Sequence, residues 1–227
     1  MISELVSMLN RASDILRREG LTPLIVRGFD FTRRRLFQYE DYYLYEQTLK
    51  ERDEADFLPR IEDFTFKIVC NNDEADELAA AIGCDFRRRF VNARKYLDKG
   101  AIVFCIFVNG EIAHIGCVAL SEEAKKTFDC LPYEVDFSNN EACTGGTETV
   151  PEYRSKGLMV YGYFKRFQFL REKGVTISRN AVDVNNIASQ RAHAKFGPKA
   201  YAKVRYVKLL WWGIRKKTPI AQTAHCE

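Results

Sequence analysis

The chain has 227 residues, 46% hydrophobic and 29% charged, and its 35 Lys+Arg against 31 Asp+Glu leave a net charge of +4. That apolar fraction supports a sizeable buried core and excludes general disorder. The longest apolar run, Ala101 to Val108, is far short of the roughly 18 residues a membrane span needs. Glu4 comes early and no basic segment precedes a continuous apolar stretch, so the N-terminus does not resemble a secretory signal. The cysteines (Cys70, Cys84, Cys105, Cys117, Cys130, Cys143, Cys226) form no close pair, and several sit in apolar runs where Cys packs as a small hydrophobe. They are expected to be reduced, hence cytoplasmic. With His114, His193 and His225, no His/Cys cluster has metal-ligand spacing, and no metal is expected.

From Ile2 to Arg18 apolar residues recur at helical spacing, predicting an amphipathic helix ending at Gly20. Thr22-Pro23 marks a break, and the aromatic density from Leu36 to Glu46 favours a strand. The charged stretch Lys50 to Asp56 and Pro59 form a candidate boundary. Beyond it, Phe64 to Val69 alternates as a half-buried strand does, Glu74 to Ile82 is a helix capped from Asn71-Asn72-Asp73, and Arg87 to Lys99 is a second helix. Ile102 to Val108 and Ile112 to Leu120 flank Asn109-Gly110, the pair a tight hairpin requires because both central residues need positive φ.

Ser121 to Asn140 carries no clear element. Ala142 to Val150 predicts a strand with two glycines, Gly145 and Gly146, which signal a bulge or a close backbone approach. A helix over Leu158 to Lys173, a strand over Val175 to Val184, a short helix over Asn185 to Phe196 and a last strand over Ala200 to Trp212 complete the order. This is an α/β (α+β) pattern. No Asp or Glu lies between Asp183 and Glu227, whereas Arg191, Lys195, Lys199, Lys203, Arg205 and Lys208 do, as do Arg215, Lys216 and Lys217. The C-terminal end is thus a basic surface, suited to an anionic ligand, nucleic acid or an acidic membrane, or simply a solvated face.

The turn Val150-Pro151-Glu152-Tyr153-Arg154-Ser155-Lys156-Gly157 opens a helix, where unpaired N–H groups and the positive dipole end suit phosphate. The segment resembles the acyl-CoA pyrophosphate loop of the GNAT superfamily of N-acetyltransferases: Arg or Gln, two residues, Gly, one residue, then Gly or Ala. Arg154 and Gly157 match, and Met159 stands where the second Gly or Ala usually does. Downstream, counting from Asn186, Ser189, His193, Lys195 and Gly197 reproduce the spacing of the family's second motif, with His193 in place of the usual Tyr. The resemblance covers Phe64 to about Trp212.

It implies a mixed, mostly antiparallel central sheet flanked by helices, with a splay between the strands before and after the CoA-binding helix. It also implies acetyl-CoA or another acyl-CoA as cosubstrate, held by Val150, Arg154, Ser155, Lys156, Gly157, Leu158, Met159, Asn186 and Ser189. Asn186 could equally be only the cap of its helix. Acyl transfer to a small-molecule primary amine would be by direct attack. A carboxylate must take the ammonium proton, with Glu148 the candidate base and Glu141 the second; a solvated, outward-facing Glu148 is the competing reading. His193 is the candidate acid in place of the Tyr, provided its ring is charged near the sulfur. His114 and N-terminal tyrosines could line the acceptor pocket.

Expected organisation is residues 1–60 as an N-terminal extension packed on the core, 61–214 as the catalytic domain and 215–227 as a basic tail. A degenerate acyl-CoA-binding or sensor protein is the alternative function. No nucleic-acid partner is expected; a homodimer, and membrane-surface contact through residues 1–20 and the basic C-terminal end, stay open.

Overall fold

The computed structural model describes residues 12 to 220, except 14, 18, 91, 132, 210 and 211. Most of the helix expected over Ile2 to Arg18 therefore lies outside the described residues, as does Cys226. Residues described between 12 and 19 are helical, and Gly20, with φ +90°, ends them as expected.

Eight strands form one sheet: β1 (Phe37–Thr48), β2 (Phe64–Val69), β3 (Ile102–Val108), β4 (Glu111–Ala119), β5 (Glu141–Thr149), β6 (Ile177–Asp183), β7 (Lys199–Leu209) and β8 (Trp212–Pro219). Their spatial order is β2-β3-β4-β5-β6-β1-β7-β8. All neighbours are antiparallel except β5 and β6, which run parallel. The helices are α1 (Leu21–Leu36), α2 (Asn72–Ile82), α3 (Ala93–Asp98), α4 (Glu122–Phe128), α5 (Leu158–Glu172) and α6 (Ile187–Ala194). This is the mixed, mostly antiparallel sheet flanked by helices that the sequence predicts.

Local chemistry explains the elements. Asn109 and Gly110 hold φ of 52° and 76° in the β3–β4 hairpin. The Asn71 side chain accepts from Glu74 N and caps α2, and the Ser121 side chain accepts from Ala124 N and caps α4. The sheet's core is double. α5 packs Leu158, Phe164, Phe167 and Leu170 against Phe104, Ile106 and Val118, while Phe86, Phe90, Ala93 and Leu97 cover Val103, Cys105 and Phe107 on the other face.

Four expectations change. Thr22-Pro23 is no break but part of the first turn of α1, where proline's missing N–H has no bond to lose. The helix expected over Arg87 to Lys99 is a short 3-10 turn, Phe86–Arg88, followed by α3. Arg87 is buried there and held by Asp85 and Asp76, which fixes the turn instead of a continuous helix. Residues 1–60 contribute an interior strand: β1 lies between β6 and β7 and pairs with both, with Leu44 and Gln47 buried. Residues 215–219 of the expected tail belong to β8, and 221–227 lie outside the described residues.

Candidate active site

The central feature is the junction of the parallel strands. β5 and β6 pair only over Glu141 to Cys143 against Ile177 to Arg179, although both strands run on. Buried Thr144 Oγ1 and Ser178 Oγ still meet at 3.0 Å. Beyond them the strands part, which leaves the β6-facing edge of β5 without a strand partner among the described residues. On the other edge the register against β4 shifts between Ile115 and Cys117, opposite Glu148 and Gly145. Gly146 sits there with φ +53°, and a Cβ on it would lie 2.9 Å from Cys117 Sγ. The glycine pair is thus a bulge, as predicted, and it re-aims the end of β5.

The turn after β5 then leads into α5. Val150 N donates to Ala113 O, and Pro151–Tyr153 forms a 3-10 turn. The backbone reverses at Ser155 (φ 62°) and Gly157 (φ 88°). A Cβ on Gly157 would come within 3.3 Å of Pro59 Cα, so the loop around Pro59 and Arg60 fits only against glycine. Arg60 N donates to Lys156 O and fixes that approach. α5 has no side-chain N-cap. No protein acceptor binds the amides of Ser155 to Val160 among the described residues, and Arg154, Ser155 and Lys156 at the start of this stretch are exposed. The Arg154 guanidinium donates through Nε to Thr149 O. At α6, the Asn186 side chain accepts from Ser189 N and its backbone N–H donates to Asp183 O, so Asn186 is a helix cap; Ser189 is buried. Asn186 is exposed.

Beneath α5 lies a buried polar cluster that composition does not foretell. Arg166 is 0% exposed and is paired with no carboxylate among the described residues. Its Nε donates to Gly162 O, its Nη1 to Thr147 Oγ1 at 3.0 Å, and its guanidinium lies 4.0 Å over the Tyr163 ring. Nη2 has no partner. His114, on β4, places Nδ1 2.7 Å from Thr149 Oγ1 and leaves Nε2 without a partner. Burial, and then the Arg166 charge, push its pKa down to about 3. His114 therefore lies under α5 rather than in an acceptor pocket.

His193 is likewise buried. Asn180 Nδ2 donates to its Nε2 at 2.9 Å, and Tyr45 and Tyr163 pack on the ring. Burial and Arg166 push its pKa down to about 3 as well. A neutral imidazole has no acidic proton to give, so the condition attached to His193 as an acid is not met.

The two carboxylates differ. Glu141 is buried and forms 2.6 Å bonds with Arg179 Nε and Nη2, and it accepts from Asp136 N. The Arg179 hydrogen bonds hold its pKa below the usual carboxylate value, so it is a structural ion pair rather than a base. Glu148 is exposed, on the face opposite α5. Its charge is felt at Tyr96, whose hydroxyl is pushed up to about 12, chiefly by burial. Tyr96, Phe128 and Glu148 thus flank the end of β5 from the α3–α4 side.

Arg166, Tyr163, Asn180 and Tyr96 are absent from the sequence reading. Arg166 had one visible signal: it falls on the i+4 stripe Leu158, Gly162, Arg166, Leu170, where only apolar or small residues are expected. A separate cavity of about 220 Å³ lies at the far end of α5, between Gln47, Arg52, Phe164, Phe167 and Arg171, away from the turn. No group of His, Cys, Asp and Glu among the described residues could hold a metal. No described helix is long and apolar enough to cross a membrane.

The fold is GNAT-like, and the solved structures it resembles are mostly GNAT acetyltransferases. One is the GCN5-related glucosamine N-acetyltransferase region of a fungal multi-domain GH3 β-N-acetylglucosaminidase, at 14% identity and a TM-score of 0.52, covering 83% of this chain and 23% of that one. Others are a GNAT acetyltransferase from Colwellia psychrerythraea (18%, TM-score 0.47, 75% and 55% covered) and a tandem GNAT protein from the clavulanic acid biosynthesis pathway (12%, TM-score 0.48, 82% and 55%). The chain thus spans between 23% and 55% of the length of these structures. No protein-family model matches the sequence, and no curated protein does.

Proposed function

We propose that the chain is an acyl-CoA-dependent N-acyltransferase that moves an acetyl group, or another acyl group, to a primary amine. One observation carries the reading: the parallel pair β5–β6 opens after Cys143 and Arg179, directly before a turn that presents the free amides of Ser155 to Val160. Those amides, with Arg154 and Lys156, suit a pyrophosphate, and Met159 contributes its backbone N–H, not its side chain. The open edge of β5 suits an extended amide-bearing arm, and a backbone N–H there would polarise a thioester carbonyl. Asn186 contributes its side-chain amide from α6.

Glu148 is the base that would take the ammonium proton, from the side of β5 on which Tyr96 and Phe128 pack. The free cysteines among the described residues support a reducing compartment such as the cytoplasm. A second reading, binding without turnover, is favoured by the neutral state of His193.

Titration calorimetry with acetyl-CoA, followed by thiol release over a panel of amines, decides between them. We expect binding, and release with at least one amine that Glu148→Gln suppresses. Binding without release for any amine supports the sensor reading, and no binding rejects both. Gly157→Val, which forces a branched side chain into φ +88° and against Pro59, should weaken binding about tenfold or more.

A further inference from the structure

Arg166 ties α5 to β5 through Gly162 O, Gly145 O and Thr147 Oγ1, and none of these partners neutralises its charge. A buried guanidinium is expensive to desolvate unless an anion accompanies it, and none does among the described residues. Yet the fold makes room for it with glycine: a Cβ on Gly116 would lie 2.6 Å from its Cζ, and Gly145 supplies a carbonyl acceptor. The atoms crowding Gly116 are Cζ, Nη1 and Nε, so the unpartnered Nη2 turns away from β4. Its bonds to Gly145 O and Thr147 Oγ1 hold it against the stretch of β5 beyond Cys143, where the pairing with β6 has ended. The ionisable groups facing Arg166 are His114, His193, Tyr163 and Cys117, with no carboxylate among them.

We propose that Arg166 is the fixed positive charge that stabilises the departing thiolate of CoA, in place of a proton donor. The inference rests on the acyltransferase reading above. In the transfer, the acyl carbon forms its bond to the amine nitrogen and its bond to sulfur breaks, the electron pair staying on sulfur. The amine proton goes to Glu148 or water. Arg166 gives up no proton, and the neutral His193 is not asked for one. A preorganised charge in a water-poor site favours the anion without reorganisation.

The test uses free CoA and needs neither acceptor nor turnover. The thiol of bound CoA is titrated by the ultraviolet absorbance of its thiolate, in the wild type and in Arg166→Gln and Arg166→Lys. A free thiol ionises at about 8.5. In the wild type we expect a value lower by about one to two units, a ten- to hundredfold gain in thiolate. Arg166→Gln should return the value to that of free CoA, and Arg166→Lys should keep part of the shift. A wild-type value equal to that of free CoA overturns the proposal even if Arg166→Gln fails to fold. So does a shift that survives in a folded Arg166→Gln. Absence of CoA binding by calorimetry is a different result: it removes the acyltransferase reading and this inference with it.

Discussion

The half of the sheet from β2 to β5 and the half from β6 through β1 and β7 to β8 are built by different physics. β3 and β4 are buried almost end to end because helices cover both of their faces. β6 alternates strictly between buried and half-buried residues. Along β1 and β7 ion pairs lie on both faces: Asp41 with Lys203 and Arg205 on one, and Glu46 with Arg179 of β6 on the other. β8 ends the sheet with exposed Ile214, Lys216 and Lys217, charges that discourage another strand from adding there. The halves meet through three residue pairs and α5, and Arg179 rivets the joint by binding Glu141 of β5 and Glu46 of β1. The opening proposed for the cofactor lies at this change of construction. There β5 passes from buried Glu141–Thr144 to less buried Gly145–Thr149, while β6 keeps its alternation.

Removing Phe104, buried against Phe66 and Phe169, should cost about 3–5 kcal/mol and be indifferent to salt, read from denaturant midpoints. Next in size is the acid response of the joint. His114 and His193 are held neutral, each with its pKa pushed down to about 3. A folded value below the unfolded value of about 6.5 means that their contribution is complete above that pH and is lost as pH falls toward the folded value. By about pH 5.5 the decline should already reach roughly 2–3 kcal/mol for the two together, and His193→Gln should flatten it.

Arg179→Ala leaves Glu141 without its partner and should destabilise by about 1–2 kcal/mol, a figure reduced because the pair is partly solvated. Because Glu141 has a lowered folded value, the gap from wild type should close as pH falls below about 4.3. Asp41→Asn should cost less than about 1 kcal/mol and shrink further in salt. With its folded pKa near 2, held there by Arg205 and Lys203, that difference should disappear as pH falls toward 2. If Asp41→Asn proved as damaging as Phe104→Ala, the contrast between the halves would be wrong.

Elements set by local chemistry were legible in the sequence. Asn109-Gly110 dictated its hairpin, Asn71 its helix start, and Gly157 its strained turn, because each depends on φ or on a cap within a few residues. α4 is also set locally, by its Ser121 cap and the acids after it, but at seven residues it is too short to show a helical period. α1 was hidden by Pro23, which a first helical turn tolerates.

The site divides in the same way. Arg154 to Met159 and Asn186 lie where their spacing implied, since a helix start is a local structure. Their role with a cofactor is our proposal. His193 could be placed on a helix from sequence, but its neutral state comes from burial among Asn180, Tyr45, Tyr163 and Arg166, which converge from three other elements. Glu141 and Glu148 are alike in sequence and only seven residues apart. One is paired inside and the other faces solvent beside Tyr96, because the bulge at Gly146 and the position of Arg179 on the neighbouring strand separate them.

The sequence by itself determined the helix and strand periods, the turns and the basic, glycine-opened start of α5. Only the tertiary structure decided that β1 enters the sheet between β6 and β7, that β5 and β6 part after three pairs, and that an unpaired guanidinium lies beneath the opening. Strand neighbours and buried charges are fixed by contacts between residues far apart in the chain, and neither periodicity nor composition records them.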